Sequence, residues 1–200
     1  MRLRKRKWVD PLINSDKTFI IDNTFSYDDF VLEIGMGMGD FIIESAINNP
    51  SIQYIGLEKD RTCVGKVIRR LQDNNINNLK VLLAGASHLP EIIKENTVSH
   101  IYLHFSDPWP KKGHHKRRLT YPTFLKMYYS ILKDDGLITF KTDNVGLFED
   151  TLEYIKDSGF KTLDIDRDYH KINRQEPLTS YERKFKDQGI PINYLLLKKL

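Results

Sequence analysis

The sequence predicts a single α/β domain: a mostly parallel sheet with an antiparallel C-terminal strand, and helices on both faces. Two observations carry this reading. Short β-rich runs alternate with longer segments of helical character, as in a parallel sheet whose strands are joined by crossover helices. The first of those runs ends in a glycine-rich turn that leads into a helix. Two hundred residues suit one core, since a chain of this size buries roughly 70% of its unfolded surface. Residues 1–200 are therefore expected to form one domain, with residues 1–15 as a basic arm.

In chain order, strands are predicted at Phe30 to Ile34, Gln53 to Leu57, Lys80 to Leu83, His100 to Phe105 and Leu137 to Lys141. Helices are predicted between them at Gly39 to Ile47, Arg61 to Asp73, Leu89 to Glu95, Tyr121 to Leu132 and Val145 to Asp157. Gly136 and Gly159 follow the last two helices, where a glycine can take the left-handed conformation that closes a helix. After Gly159 come a short strand from Phe160, a polar stretch from Thr179 to Lys186 and an apolar strand from Ile192 to Leu197.

Charge narrows the function classes. The formal net charge is only +4, but it is concentrated in two blocks: Arg2, Arg4, Lys5, Arg6 and Lys7, and Lys111, Lys112, Lys116, Arg117 and Arg118. The remaining residues are net acidic. Two cationic blocks on an acidic body point to a polyanionic partner, because Lys and Arg gain by displacing counterions from phosphates. No apolar run approaches the ~20 residues of a membrane span. Asp10, Pro11 and Asn14 follow the basic start where a secretion signal would be apolar, so no such signal is expected. Cys63 is the only cysteine, which excludes an internal disulfide and suits the reducing cytoplasm. His114 and His115 lack the spaced carboxylate or cysteine partners of a metal site, and no metal is expected.

The chemistry gathers at strand ends. Glu33-Ile34-Gly35-Met36-Gly37-Met38-Gly39 gives a turn whose glycines allow sharp bends and close approach of a ligand. Glu58 ends the second strand, where a carboxylate can accept both hydroxyls of an adenosine ribose. The dinucleotide pattern G-x-G-x-x-G is not met, since Asp40 stands where the last glycine would fall. A carboxylate at Glu33 would repel a pyrophosphate and attract the ammonium of a methionine moiety. These features favour S-adenosylmethionine over a nicotinamide cofactor.

Those residues resemble the first motif, E/D-x-G-x-G-x-G, of Rossmann-like methyltransferases, whose second strand also ends in an acidic residue. The resemblance implies Glu33, Gly35, Gly37 and Gly39 around the methionine portion and Glu58 on the ribose. After the third strand the family offers Asp or Asn near the adenine; this chain has Gly85 and Ala86, so backbone groups would make that contact. Phe105-Ser106-Asp107-Pro108-Trp109-Pro110-Lys111 resembles the F-x-D-P-W-P-K motif of bacterial tRNA (guanine-N7)-methyltransferases, and Thr179-Ser180-Tyr181-Glu182-Arg183-Lys184-Phe185 their T-x-Y-E-x-x-F segment.

That family implies a catalytic Asp107 beside the cofactor, and Lys111, Asp143, Thr179, Ser180, Tyr181 and Glu182 on the substrate side. Lys111 can contact phosphate, while Asp143 and Glu182 can accept hydrogen bonds that only guanine supplies. Gly113, His114, His115, Lys116, Arg117 and Arg118 form the loop expected to grip the RNA backbone. Trp109 is a candidate stacking partner for the base. The resemblance also implies S-adenosylmethionine as cofactor and tRNA as partner. No protein partner is evident, and the chain is expected to be a monomer or homodimer. Three alternatives stay open: an amino-group methyltransferase with a D/N-P-P-Y/W motif, an RNA-binding protein without catalysis, and a nicotinamide oxidoreductase.

Overall fold

The computed structural model describes residues 7–15, 19–21, 27–171 and 176–200. Seven strands form one sheet: β1 (Phe30–Ile34), β2 (Tyr54–Glu58), β3 (Leu79–Leu83), β4 (Val98–His104), β5 (Leu132–Thr142), β6 (Phe160–Asp166) and β7 (Asn193–Lys199). Their order is β3-β2-β1-β4-β5-β7-β6. The first five pair in parallel, and β7 runs antiparallel between β5 and β6. The predicted architecture is therefore the observed one.

Alternation along each strand divides the core. Phe30, Leu32 and Ile34 of β1 join a cluster with Leu125, Tyr128, Leu147 and Phe148, from helices α5 (Pro122–Ile131) and α6 (Val145–Tyr154). Val31 faces the other way, into a cluster with residues of α1 (Val9–Ser15), α2 (Asp40–Asn48) and α3 (Arg61–Asp73). Both faces are covered at β1 and β2, which explains why those strands read as nearly continuous apolar runs, whereas edge strand β6 alternates buried with more exposed residues. A short helix, α4 (Leu89–Ile92), completes the first cluster through Leu89.

Three sequence expectations need correction or refinement. Gly136 does not close a helix: α5 ends at Ile131, and the left-handed residue nearby is Asp135, at φ 63°. Gly136 lies within β5, where a Cβ would sit 2.8 Å from the carbonyl oxygen of Lys133, so close backbone approach is what requires glycine there. Gly159 does take the expected conformation, at φ 79°.

The polar stretch after Thr179 folds as a helix, α7 (Ser180–Asp187). Thr179 Oγ1 accepts from the Glu182 amide at 3.0 Å and the Glu182 carboxylate accepts from the Thr179 amide at 3.4 Å, a reciprocal cap written in the T-x-x-E spacing. The second half of the basic arm is helix α1, with Val9 and Ile13 buried and the Arg69 guanidinium 3.7 Å over the Trp8 ring. Arg2, Arg4, Lys5 and Arg6 lie outside the described residues.

Candidate active site

The chain runs β1, β2, β3 outward in one direction and returns to lay β4 on the opposite side of β1. Such a reversal leaves a crevice beyond the carboxyl ends of the strands. Here it is a cleft of about 830 Å³, within the size range of small-molecule sites. Ile34 and Gly35 line it after β1, Leu57 to Asp60 after β2, Ala84 to Ser87 after β3, and His104 to Asp107 after β4. Trp109, Lys116, Arg117, Leu119 and Phe124 close the far wall.

The glycine turn owes its composition to backbone conformation. Gly35, Gly37 and Gly39 sit at φ 80°, 55° and 73°, where a side chain is strained. A Cβ on Gly39 would also lie 2.9 Å from Val67, whereas nothing lies within 4 Å of one on Gly35 or Gly37. The turn is pinned to β2, with Gly35 and Met36 amides donating to the Leu57 carbonyl at 2.8 and 3.1 Å. Glu58 reinforces it: Oε2 accepts from the Gly37 amide at 3.1 Å, and Oε1 from the Lys59 and Asp60 amides at 2.8 Å each. Sequence reasoning gave Glu58 to a ribose; its carboxylate lines the cleft and also shapes the first turn.

Glu33 is buried rather than open to the cleft. Its Oε1 lies 3.1 Å from Nδ1 of His104, and Oε2 has no partner among the described residues. Burial, with a smaller push from the Asp40 carboxylate, holds its carboxyl well above the usual range. Burial, then the Lys141 ammonium, pushes His104 well below the usual imidazole range. On the same strand face, burial lowers His100 to about 4.

Asp107 is exposed on the cleft wall, on a backbone under strain. Phe105 and Trp109, two residues to either side, have φ of 49° and 41°. Non-glycine residues in that region cost of order 1–3 kcal/mol each and persist only where surroundings impose them. Two groups hold the loop: the Phe105 amide donates to the Lys141 carbonyl at 2.9 Å, and on the Trp109 side the Arg118 guanidinium donates to the carbonyl oxygens of Pro108 at 2.7 Å and Trp109 at 3.5 Å, pairs with Asp150 and reaches Tyr154. Arg118 is only 3% exposed, so its expected place on an RNA-gripping surface is corrected: it is the strut behind the Asp107 loop.

The other loop residues divide. Gly113, Lys116 and Arg117 are exposed, and His114 and His115 half-buried. His115 lies 3.0 Å from the Arg118 guanidinium. The Arg117 guanidinium lies 5.0 Å over the Trp109 ring, and His114 meets that ring edge-on, so Trp109 is clasped by the loop.

The expected substrate residues lie apart from the cleft lining. Lys111 and Asp143 are exposed. Thr179 caps α7, Ser180 is exposed, and Tyr181 is 61% exposed with its ring stacked on Phe105, 6.0 Å between centroids. That stacking brings the start of α7 to the cleft rim. Glu182 is corrected: its carboxylate is fully buried and turned inward, 3.1 Å from Nζ of the equally buried Lys141, so it presents no acceptor to a base here. Glu176 is the second partner of Lys141, at 3.3 Å.

His104, Ser106 and Lys141 were not singled out by the sequence reading. Their signal was polar residues at the ends of otherwise apolar strands, where each has to face a partner or a ligand. The hydroxyl of Ser106, at the cleft wall, is buried with no partner among the described residues.

The chain is similar to known proteins. A family model described as "Putative methyltransferase" matches residues 28–195. A tRNA (guanine-N(7)-)-methyltransferase of Limosilactobacillus reuteri is 39% identical, covering 98% of both chains. One from Mycoplasmopsis agalactiae is 44% identical over 86% of this chain and 84% of the relative. Among solved structures, the 16S rRNA methyltransferase KamB superposes with a TM-score of 0.66 at 18% identity, covering 86% of this chain and 88% of that one.

Proposed function

The chain belongs to the tRNA (guanine-N7)-methyltransferase family, and on that premise we propose that it methylates N7 of a guanosine in tRNA with S-adenosylmethionine bound in the cleft at the β1–β4 switch point. The observation that supports this reading best is the convergence of Gly35, Glu58, Gly85, Ala86 and Asp107 on one cleft. The groups there suit the cofactor's parts: Glu58 for the ribose, the Ala84–Ala86 wall for the adenine and, just behind the Ile34–Gly35 lining, the buried Glu33 carboxyl for the amino group.

S-adenosylmethionine supplies an electrophilic methyl group on a sulfonium centre. N7 of guanine carries a lone pair and no proton, so no general base is required of the protein. What remains for the chain is placement, which can lower a barrier by several kcal/mol, and charge. Methyl transfer leaves positive charge on the purine, and the Asp107 carboxylate, carried on the loop whose Pro108 and Trp109 carbonyls Arg118 holds, stabilises it. Asp143 and the Thr179–Tyr181 turn form the substrate side, and the strained loop keeps Trp109 at the entrance. The reaction belongs in the cytoplasm, where tRNA and the cofactor meet. Among the described residues, no helix is long and apolar enough to cross a membrane.

The test is incubation with labelled S-adenosylmethionine and unmodified tRNA, then nucleoside analysis. Label in 7-methylguanosine is the expected outcome, and label on an exocyclic nitrogen would favour the amino-group alternative instead.

The exposed pair Lys116 and Arg117 carries the RNA-binding prediction. Lys116→Ala with Arg117→Ala should weaken tRNA binding and lower the slope of log affinity against log salt by about 1.5, at roughly 0.7–0.9 for each phosphate no longer neutralised. A slope equal to the unaltered protein's would remove both residues from the RNA. Arg118 is left out, because its removal would release the Asp107 loop.

A further inference from the structure

Two buried side chains at the head of the cleft are each left with an unused polar atom. Glu33 is 2% exposed and His104 7%. They meet through Oε1 and Nδ1 at 3.1 Å, while Oε2 of Glu33 and Nε2 of His104 have no partner among the described residues. Buried polar atoms without partners are uncommon in native proteins and call for an explanation such as a ligand that completes them. His104 lines the cleft, and Glu33 immediately precedes Ile34 and Gly35, which also line it. An incoming ammonium group is the complement the pair lacks.

We propose that His104 is a positioning residue for the cofactor: Nδ1–H donates to Oε1 of Glu33, leaving Oε2 for the cofactor's amino group, so that binding expels one proton from the pair. This rests on the reading of the cleft as the S-adenosylmethionine site. Before the cofactor binds, burial and the Asp40 carboxylate disfavour the charged form of Glu33 and shift its carboxyl toward the protonated one. When the ammonium arrives, the carboxyl gives its proton to solvent, the carboxylate pairs with the ammonium through Oε2, and neutral His104 keeps its donor on Oε1. One proton leaves and no other bond changes.

The surroundings fix the sign. Asp40, Glu58 and Glu182 face Glu33 with negative charge, and Lys141 faces both Glu33 and His104 with positive charge. His100 is neutral beside His104, whose ring is packed against Phe41 and Tyr102. Around Glu33 carboxylates outnumber cations, which keeps its proton until a cation enters. Because the bound form is the deprotonated one, affinity falls as pH drops below the free carboxyl's pKa and levels off above it. The fall approaches tenfold per pH unit for one proton.

The test is calorimetric titration of the whole chain with S-adenosylhomocysteine, which carries the same amino group and does not react. It is run from pH 5 to 8 in buffers of different ionisation enthalpy. Proton release on binding at low pH, fading as pH rises, is the expected result, and a pH-independent affinity with no buffer dependence overturns the linkage. Glu33→Gln should abolish the release. His104→Leu should bind about tenfold more weakly or worse, the scale of a hydrogen bond to a charged group. His104→Asn, which keeps a donor near Nδ1, should recover most of that loss. His104→Leu binding as tightly as the unaltered protein overturns the positioning role. Should the unaltered protein bind S-adenosylhomocysteine at no pH, the cofactor reading itself fails; binding that is merely flat with pH sinks only this inference.

Discussion

Replacing Asp107 with alanine should lower the methylation rate by about 10²- to 10³-fold, the usual loss when one preorganised electrostatic interaction with a developing charge is removed. The geometry makes the effect specific. Asp107 is exposed on the cleft wall, and among the described residues no side-chain hydrogen bond or ion pair to its carboxylate occurs, so truncation breaks no internal interaction. Its position is set from behind by backbone: Arg118 holds the carbonyls of Pro108 and Trp109, and the Phe105 amide donates to the Lys141 carbonyl at 2.9 Å. Asp107→Ala should therefore fold normally and bind S-adenosylhomocysteine within a few-fold of the unaltered protein. Asp107→Asn separates shape from charge, and an asparagine variant with full turnover would show that the negative charge is dispensable. Single-turnover assays with saturating tRNA are the measurement, since they exclude product release from the comparison.

Whether a feature could be read from the sequence depends on whether its deciding interaction is local. Gly35, Gly37 and Gly39 were legible because the requirement is written in the backbone: positive φ at a strand-to-helix turn selects glycine wherever the turn occurs. The α7 cap was missed although its signal is local, since Thr179 and Glu182 are three residues apart and the box closes on itself. The fate of Arg118 was not legible. It stands in a run of cations indistinguishable from Lys116 and Arg117, and its burial is decided by Asp150, 32 residues downstream. His104 was invisible for the same reason, since Glu33 lies 71 residues away. Register makes the connection: His104 of β4 pairs opposite Lys141 of β5, so both side chains emerge on one face of the sheet at its carboxyl end.

The same distance hid Lys141, whose removal should be the most damaging to stability. Its ammonium is fully buried between Glu182 and Glu176 and lies 3.9 Å over the Tyr169 ring. Lys141→Met fills much of the same volume but leaves the fully buried Glu182 carboxylate without its cation. Breaking a buried pair from one side costs about 3–5 kcal/mol, mostly the penalty on the partner left behind. Glu176 is partly exposed and is rehydrated, so it adds little.

Strong non-additivity is the consequence. In Lys141→Met with Glu182→Leu, no stranded charge remains, and roughly 2 kcal/mol or more of the loss should return despite the broken cap on α7. Urea denaturation of the two single variants and the double variant measures the cycle. A double variant less stable than Lys141→Met alone would mean that the pair stabilises the fold outright. Recovery of stability without recovery of tRNA methylation is the result expected if α7 is held at the cleft rim by this pair. The Phe105–Tyr181 stack alone would then leave the Thr179–Tyr181 turn free to drift.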